Sequence, residues 1–437
     1  MLNKYKSKMI KQCIITLMLT SVCLQVFSQQ TNHNVLRLNV SEAKEYAVQH
    51  NKNVWNAGLS VSEAQKKTWE AISAGLPQIN ASINYQNMMG FKMEFAGMSI
   101  GMVPTSNFQA QVTQLLFSAS YWVGIKMSKI GEEMNEIAWQ QAELDVKHQT
   151  QSAYYTILVA QENKEILEQN LKNLETIAKT TEGLVNAGVA EQTDVDQIKV
   201  QILTMANIIK SIERNIELAY NLLRFQLGVD ADTEIVLTQT LEDGCIPCQS
   251  SELLLKYIDL NDNYNMQLIE EQINLANMQI GLEKAAALPN VSAVYSYTYK
   301  IAKSTFDMSP NHVIGLQANI PLFASGQRYV RTKQAKINLE KAKNDHDLLT
   351  ENLLLQEKQL RFNLNSAVEA LEQQKEAMDV AQRVFESIAR KYQYGTASSL
   401  DVTTANTSLL QAQSNYVNAM MDVLTAQTEL EKLLNTI

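Results

Sequence analysis

The sequence predicts a mainly α protein with a small β part, built as a tandem duplicated repeat. Each half is a β-hairpin joined to a long antiparallel helical hairpin. Three observations predict this. First, landmarks recur in order along the 437 residues. Leu-Pro77-Gln-Ile-Asn returns as Leu-Pro289-Asn-Val-Ser, Leu-Leu-Phe117-Ser as Pro-Leu-Phe323-Ala, and Gly188-Val-Ala-Glu-Gln-Thr-Asp194-Val as Gly395-Thr-Ala-Ser-Ser-Leu-Asp401-Val. The offsets are 212, 206 and 207 residues, and self-similarity at a steady period marks a repeated structural unit. Second, Gln327 to Tyr394 is 68 residues with neither Gly nor Pro. Third, stretches of about ten residues alternate apolar with polar uncharged side chains, the period of a strand.

In chain order, residues 1–28 read as a secretory signal. Lys4, Lys6, Lys8 and Lys11 precede an apolar stretch from Ile14 to Phe27, and Val26-Phe27-Ser28 suits cleavage. A lipid anchor on Cys23 is disfavoured by the bulky Val22 before it. Loss of these four lysines takes the formal charge from −9 to −13. An acidic chain without basic clusters argues against nucleic acid as a partner. Beyond residue 28 there is no run of 18 apolar residues, so any membrane crossing must be made by strands.

Residues 29–227 form the first repeat and 253–437 the second. A helix is expected from Val40 to Ala74, and its counterpart from Leu253 to Ala287. Pro77 and Pro289 stop these helices and bias the chain to extended structure. Strands are expected over about 78–90 and 106–116, then over about 291–301 and 311–321. Ile79, Ala81, Ile83 and Tyr85 share one face, with Asn80, Ser82 and Asn84 on the other. Phe117 and Phe323 mark the return from strand to helix.

Glu132 to Glu182 is a Gly- and Pro-free run of 51 residues, the first-half counterpart of the 68-residue run. Gly188 and Gly395 suit tight helix-to-helix turns. Leu348, Leu349, Leu353, Leu360, Leu364, Val368 and Leu371 step by threes and fours, as in coiled-coil packing. Between the repeats, residues 228–252 form a linker holding Gly244, Pro247, Cys245 and Cys248. In an oxidising compartment Cys245 and Cys248 are expected to close a disulfide. A redox motif is the alternative, without the strand–helix pattern that would support it.

Four strands cannot close a barrel, and an open sheet cannot sit in lipid. A membrane reading therefore needs several chains around one barrel, and three chains give about twelve strands around a lumen. Apolar faces would meet lipid, polar faces water, and Tyr85, Tyr295, Tyr297 and Tyr299 would form part of an aromatic belt.

The order helix, Leu-Pro, hairpin, Leu-Phe, long helix, Gly-x5-Asp-Val, helix, present twice, resembles the TolC-like outer-membrane efflux protein family over essentially the whole mature chain. The resemblance implies a homotrimeric 12-stranded barrel in the outer membrane of a Gram-negative bacterium, continuing into a periplasmic α-helical barrel. It implies a passive duct, gated at the periplasmic tip, working with a periplasmic adaptor and an inner-membrane pump of RND, ABC or MFS type. By the same resemblance Gly188 and Gly395 match the tip glycines, Asp194 and Asp401 the first tip aspartates, and Tyr392 the gate tyrosine. Thr404 stands where the family's second aspartate lies, and Ala397 where its locking arginine lies. Either aspartate equally suits a cap in the first turn of a helix.

Other chemistry is set aside. Met88, Met89, Met93, Met98 and Met102 offer thioethers to a soft metal, but a flexible apolar loop is the favoured reading. The five histidines are scattered, and no phosphate loop, nucleophile elbow or metalloprotease motif occurs. No enzyme, metal or cofactor is expected. The rival class is a secreted periplasmic coiled-coil scaffold or adaptor, which explains the helices but not the duplicated strands.

Overall fold

The structure, a computed structural model, describes residues 35–95, 98–101, 103–241, 250, 252–303 and 309–437. The expected signal segment, Cys245 and Cys248 lie outside the described residues. Helices among the described residues are α1 (Val40–His50), α2 (Lys52–Ser73), α3 (Ala119–Asn186), α4 (Gln192–Leu227), α5 (Tyr264–Ala285), α6 (Gln327–Gln393) and α7 (Ser399–Leu433). Strands are β1 (Leu36–Leu38), β2 (Gln78–Gln86), β3 (Lys92–Phe95), β4 (Met98–Gly101), β5 (Thr105–Phe117), β6 (Ile235–Leu237), β7 (Asn290–Ala302) and β8 (His312–Asn319). The protein is mainly helical with few strands.

One antiparallel sheet has the order β2-β5-β7-β8, so β5 and β7 join the two halves. Its register aligns apolar side chains across all four strands. Ile79 faces Val112, Val112 faces Tyr295, and Tyr295 faces Ile314. The alternate rows carry Asn80, Gln111 and Ser296, then Ser82, Gln109 and Thr298. Period two thus sorts the sheet into an apolar and a polar face. The apolar face is open: Ile79 is 73% exposed and Ile314 84%. Among the described residues, strands β2 and β8 each pair on one side only.

The long helices follow from the scarcity of breakers. Helix α3 has 68 residues and α6 has 67, each about 100 Å at 1.5 Å per residue. Helix α3 runs through Gly124, Gly131 and Gly183, so the Gly-free run understated it: a single glycine costs only about 1 kcal/mol in a helix. Helix α4 returns along α3, and α7 along α6. Near the turns, Leu167, Leu174 and Ile177 of α3, Ile198 and Met205 of α4, Phe385 of α6 and Val402 and Leu409 of α7 form one apolar core. Farther up, Leu38, Ala47, Tyr154, Ile157, Leu223 and Ile235 pack α1, α3 and α4 around the parallel β1–β6 pair. In the apolar run of α6, Leu353 and Leu364 are buried, whereas Leu348 is 56% exposed on an outer face.

Several expected boundaries differ. The helix expected from Val40 to Ala74 is broken at Asn51, whose extended backbone ends α1 and whose side chain accepts from Asn53 N at 2.7 Å to cap α2. Asn51 Nδ2 also donates to Gln226 O on α4 at 2.8 Å. The helix expected from Leu253 begins only at Tyr264. Asp259 accepts from Asn261 N at 2.9 Å and Asn263 from Asn265 N at 3.0 Å, and such local bonds compete with the helical ladder. Strand β2 stops at Gln86 rather than near residue 90, where Asn87 accepts from Met89 N at 2.9 Å in a turn. The short β3–β4 hairpin and the β1–β6 pair were not expected.

Candidate functional site

The residues singled out by the sequence fall at two places: the joint between sheet and helices, and the turns at the far end of the long helices. At the joint, Pro77 precedes β2 and Pro289 precedes β7. Phe117 ends β5, opposite Val291, and Ser118 caps α3 by accepting from Tyr121 N at 3.3 Å. Tyr121 donates its hydroxyl to Ile72 O at 2.9 Å, and Gln114 donates to Gly75 O at 2.7 Å. A Cβ at Gly75 would overlap the Tyr121 ring and hydroxyl. Helix end and strand are thereby held at a fixed angle. Phe323 is 86% exposed beyond β8.

At the other end, Gly188 and Gly395 have φ of +71° and +72°, the left-handed conformation that favours glycine. Their turns have the same bonds. Gly188 N donates to Val185 O and Val189 N to Leu184 O; Gly395 N donates to Tyr392 O and Thr396 N to Lys391 O, all at 2.9 Å. These bonds satisfy the last carbonyls of α3 and α6.

Each aspartate sits in the first turn of the returning helix. Asp401 Oδ2 accepts from Ser398 N at 2.8 Å and from Ser398 Oγ at 2.7 Å, while Asp401 N donates to Ser398 Oγ at 3.1 Å. This is a capping box. The Ser398 backbone N–H first, and then its hydroxyl, hold the exposed Asp401 carboxyl below the usual carboxylate range. Asp194 Oδ2 accepts from Glu191 N at 3.0 Å in the same way.

Asp194 does more than cap. Its Oδ1 accepts the hydroxyl of Ser399, the first residue of α7. The bond ties one helical hairpin to the other. Higher on the same seam, Asn406 donates to Gln201 Oε1 and Asn170 to Gln413 Oε1 at 3.4 Å. The seam-facing residues of α7, Ser399, Thr403, Asn406 and Gln413, step by threes, fours and sevens and so share a helix face. No basic side chain among the described residues pairs with Asp194. Four of the five buried side-chain polar atoms without a partner among the described residues lie in this region: Tyr392 Oη, Thr403 Oγ1, Asn406 Oδ1 and Asn170 Oδ1.

Tyr392 is 5% exposed within the apolar core of the four long helices, so within the chain it does not face solvent. Ala397 packs at the edge of that core. Thr404 is exposed and bonds back to Leu400 O at 2.8 Å. Ser399, Asn406, Gln201, Asn170 and Gln413 were missed by sequence reasoning, which followed the apolar steps, the turn glycines and the capping aspartates. Their helical spacing was the available signal. Met102 lies outside the described residues, and no group of three or more His, Cys, Asp or Glu side chains that could hold a metal ion occurs among the described residues.

A family model described as "Outer membrane efflux protein" matches residues 45–229 and 259–436. Outer membrane protein TolC of Vibrio cholerae serotype O1 is 24% identical over 393 residues, covering 87% of this chain and 87% of that protein. The solved structure of CusC superposes with a TM-score of 0.74 at 17% identity, over 93% of this chain and 95% of that one. The CmeC outer membrane channel of Campylobacter jejuni gives a TM-score of 0.72 at 16% identity, over 91% and 86%. These structural likenesses concern the fold.

Proposed function

Since the chain belongs to the outer membrane efflux protein family, we propose that it is the passive exit duct of a tripartite efflux or type I secretion system. In this reading an inner-membrane pump of RND, ABC or MFS type supplies the energy, a periplasmic adaptor connects pump and duct, and the chain itself does no chemistry. The chain is a protein of the outer membrane, as are its relatives and structural neighbours.

The observation that carries the reading is the sheet. Its apolar face is unburied, and both outer strands have an unpaired edge. In water such a face is an aggregation hazard. In lipid the face is satisfied, but the edges are not unless the sheet closes. Three copies would close it as a homotrimer with about twelve strands, polar rows toward the lumen. The helices support the same closure. In the row α2–α3–α5–α6 the outermost members are α2 and α6. Both expose large apolar side chains, Trp55 and Trp69 on one and Ile337 and Leu355 on the other. Two unlike edges fit head-to-tail, and a rotation that closes makes a ring.

At the far end, the turns around Gly188 and Gly395 form the gate and adaptor contact. Copies of Asp401 ring the opening, and the Asp194–Ser399 bond takes the place of the arginine that position 397 lacks. Membrane fractionation tests the reading. The chain stays in the membrane pellet through a carbonate wash; a chain that washes off is a periplasmic scaffold.

A further inference from the structure

We propose that the first turns of α6 form a binding surface for the phosphate groups of anionic phospholipids, in the leaflet from which the helices emerge. Arg328, Lys333 and Lys336 hold the headgroups, and Leu322 and Phe323 sit among the acyl chains. The proposal rests on the reading of the sheet as membrane-spanning.

The overall charge of −9 hides one local exception. From Gln327 to Lys343 there are six Lys or Arg and one acid, Glu340. Arg328, Lys336 and Lys343 recur at steps of eight and seven, and Lys333 lies three before Lys336. The four therefore share one side of the helix. None of them pairs with a carboxylate among the described residues. The three lysines are exposed and Arg328 is half-buried. Helix stability does not account for them, because a cation in the first turn, such as Arg328, opposes the helix dipole. Duplication does not account for them either. At the offset of 206 that relates Phe117 to Phe323, the same four positions are Trp122, Met127, Ile130 and Ile137. The basic stripe belongs to the second half alone.

Its place in the fold points to lipid. The sheet ends with β8 at Asn319, and α6 starts at Gln327. Between them Leu322 and Phe323 are 89% and 86% exposed, and Tyr329 just beyond is 68% exposed. Lys333 Nζ lies 5.5 Å over the Tyr329 ring. Apolar wedge, aromatic ring and cations follow one another in the order in which a membrane interface presents acyl chains and headgroups. At 1.5 Å per residue, Lys336 is about 14 Å below the start of α6. Side chains on a helix lean toward its N-terminus, so these cations reach back toward the headgroups along their apolar stems. The stripe is on the outer side. Lys343 and Arg361 are about five turns apart at 3.6 residues per turn and share a face. Arg361 holds the 253–263 segment there, donating to Leu254 O at 2.6 Å. In a closed ring that second layer lies outside, since inside it would plug the lumen. The stripe thus meets the leaflet rather than the cargo.

Energy transfer from tryptophan to dansyl-labelled lipid tests the surface in full-length protein reconstituted into bilayers. Trp69 and Trp122, 60% and 62% exposed near the joint, serve as donors. The native protein is expected to enrich a phosphatidylglycerol probe about fivefold over a phosphatidylcholine probe, and to lose the preference in about 1 M salt. The triple variant Arg328→Gln, Lys333→Gln, Lys336→Gln is expected to show no preference. A control with the same loss of charge on exposed residues of the distal hairpin, Lys172→Gln, Lys179→Gln, Lys210→Gln, is expected to keep it. Equal preference in the native protein and the α6 variant overturns the proposal, as does a preference that survives high salt. A native protein without lipid preference also overturns it; cosedimentation with isolated cell-wall sacculi, lost in the α6 variant, would then assign the stripe to the anionic wall. A protein that is neither retained in the bilayer nor conducting overturns the membrane reading itself.

Discussion

Asp194 uses both carboxylate oxygens: Oδ2 caps its own helix at Glu191 N, and Oδ1 accepts the hydroxyl of Ser399 from the other helical hairpin. A hydrogen bond to a charged group contributes about 1.5–3 kcal/mol. Ser399→Ala removes the bridge and leaves the cap. The closed arrangement of the tip should lose about tenfold in population, read as longer dwell at the higher conductance in planar bilayers. Unchanged dwell times would mean that the bridge does not hold the tip.

The pH dependence of the α7 start has a defined sign. Hydrogen bonds from Ser398 hold the folded-state pKa of Asp401 below its unfolded value. The contribution to stability is therefore complete above the unfolded pKa and is lost as pH falls through the lowered folded value. Amide exchange at the first turn of α7, corrected for intrinsic rates, should be flat from about pH 5 to 8 and rise only in stronger acid. In Asp401→Asn the acid rise should vanish. A midpoint near neutrality in the native protein would contradict the assignment.

Gly75→Ala forces a methyl group into Tyr121. Overpacking of this kind costs about 1–3 kcal/mol, and here it also disturbs the Tyr121–Ile72 bond that sets the angle between helix and sheet. Thermal unfolding should shift to lower temperature, and adding Tyr121→Ala should recover part of the loss. A double variant no more stable than Gly75→Ala would place the strain elsewhere.

Arg361 anchors the chain between the two halves. It donates to Leu254 O at 2.6 Å, pairs with Glu357 at 2.8 Å and lies 4.7 Å over the Tyr257 ring. Glu357 in turn accepts from Ile258 N at 3.2 Å. Arg361→Ala strands a carboxylate that is only 7% exposed, a loss of about 3 kcal/mol. Limited proteolysis should then cut within residues 253–263, and Glu357→Gln in the same chain should restore part of the protection. Equal resistance in Arg361→Ala would show that the segment is held by its apolar contacts alone.

Much of the architecture was legible because its signals are long. Sixty-eight residues without Gly or Pro admit one reading, and the rows Ile79-Ala81-Ile83 and Ile314-Leu316 show period two directly. What escaped were short-range decisions. Asn51 breaks a helix by capping the next one, and its neighbours carry no Gly or Pro to announce it. Asn263 delays α5 by the same chemistry. The Gly-free run from Glu132 to Glu182 is shorter than the helix that contains it, which continues through Gly124 and Gly131, since packing along a 68-residue helix outweighs one glycine. At the tip, Gly188, Gly395 and the capping aspartates were recognisable from spacing. Ser399 was not, because a polar residue at a helix start looks the same whether it meets water or another helix. Only the tertiary structure shows that Asp194 lies within reach.

Planar-bilayer recording of the detergent-purified protein tests the central claim most directly, comparing the native chain with Asp401→Ala. The duct reading predicts discrete conductance steps that favour cations in a salt gradient and grow when the acidic ring is removed. A folded protein that gives no steps in either form would contradict it.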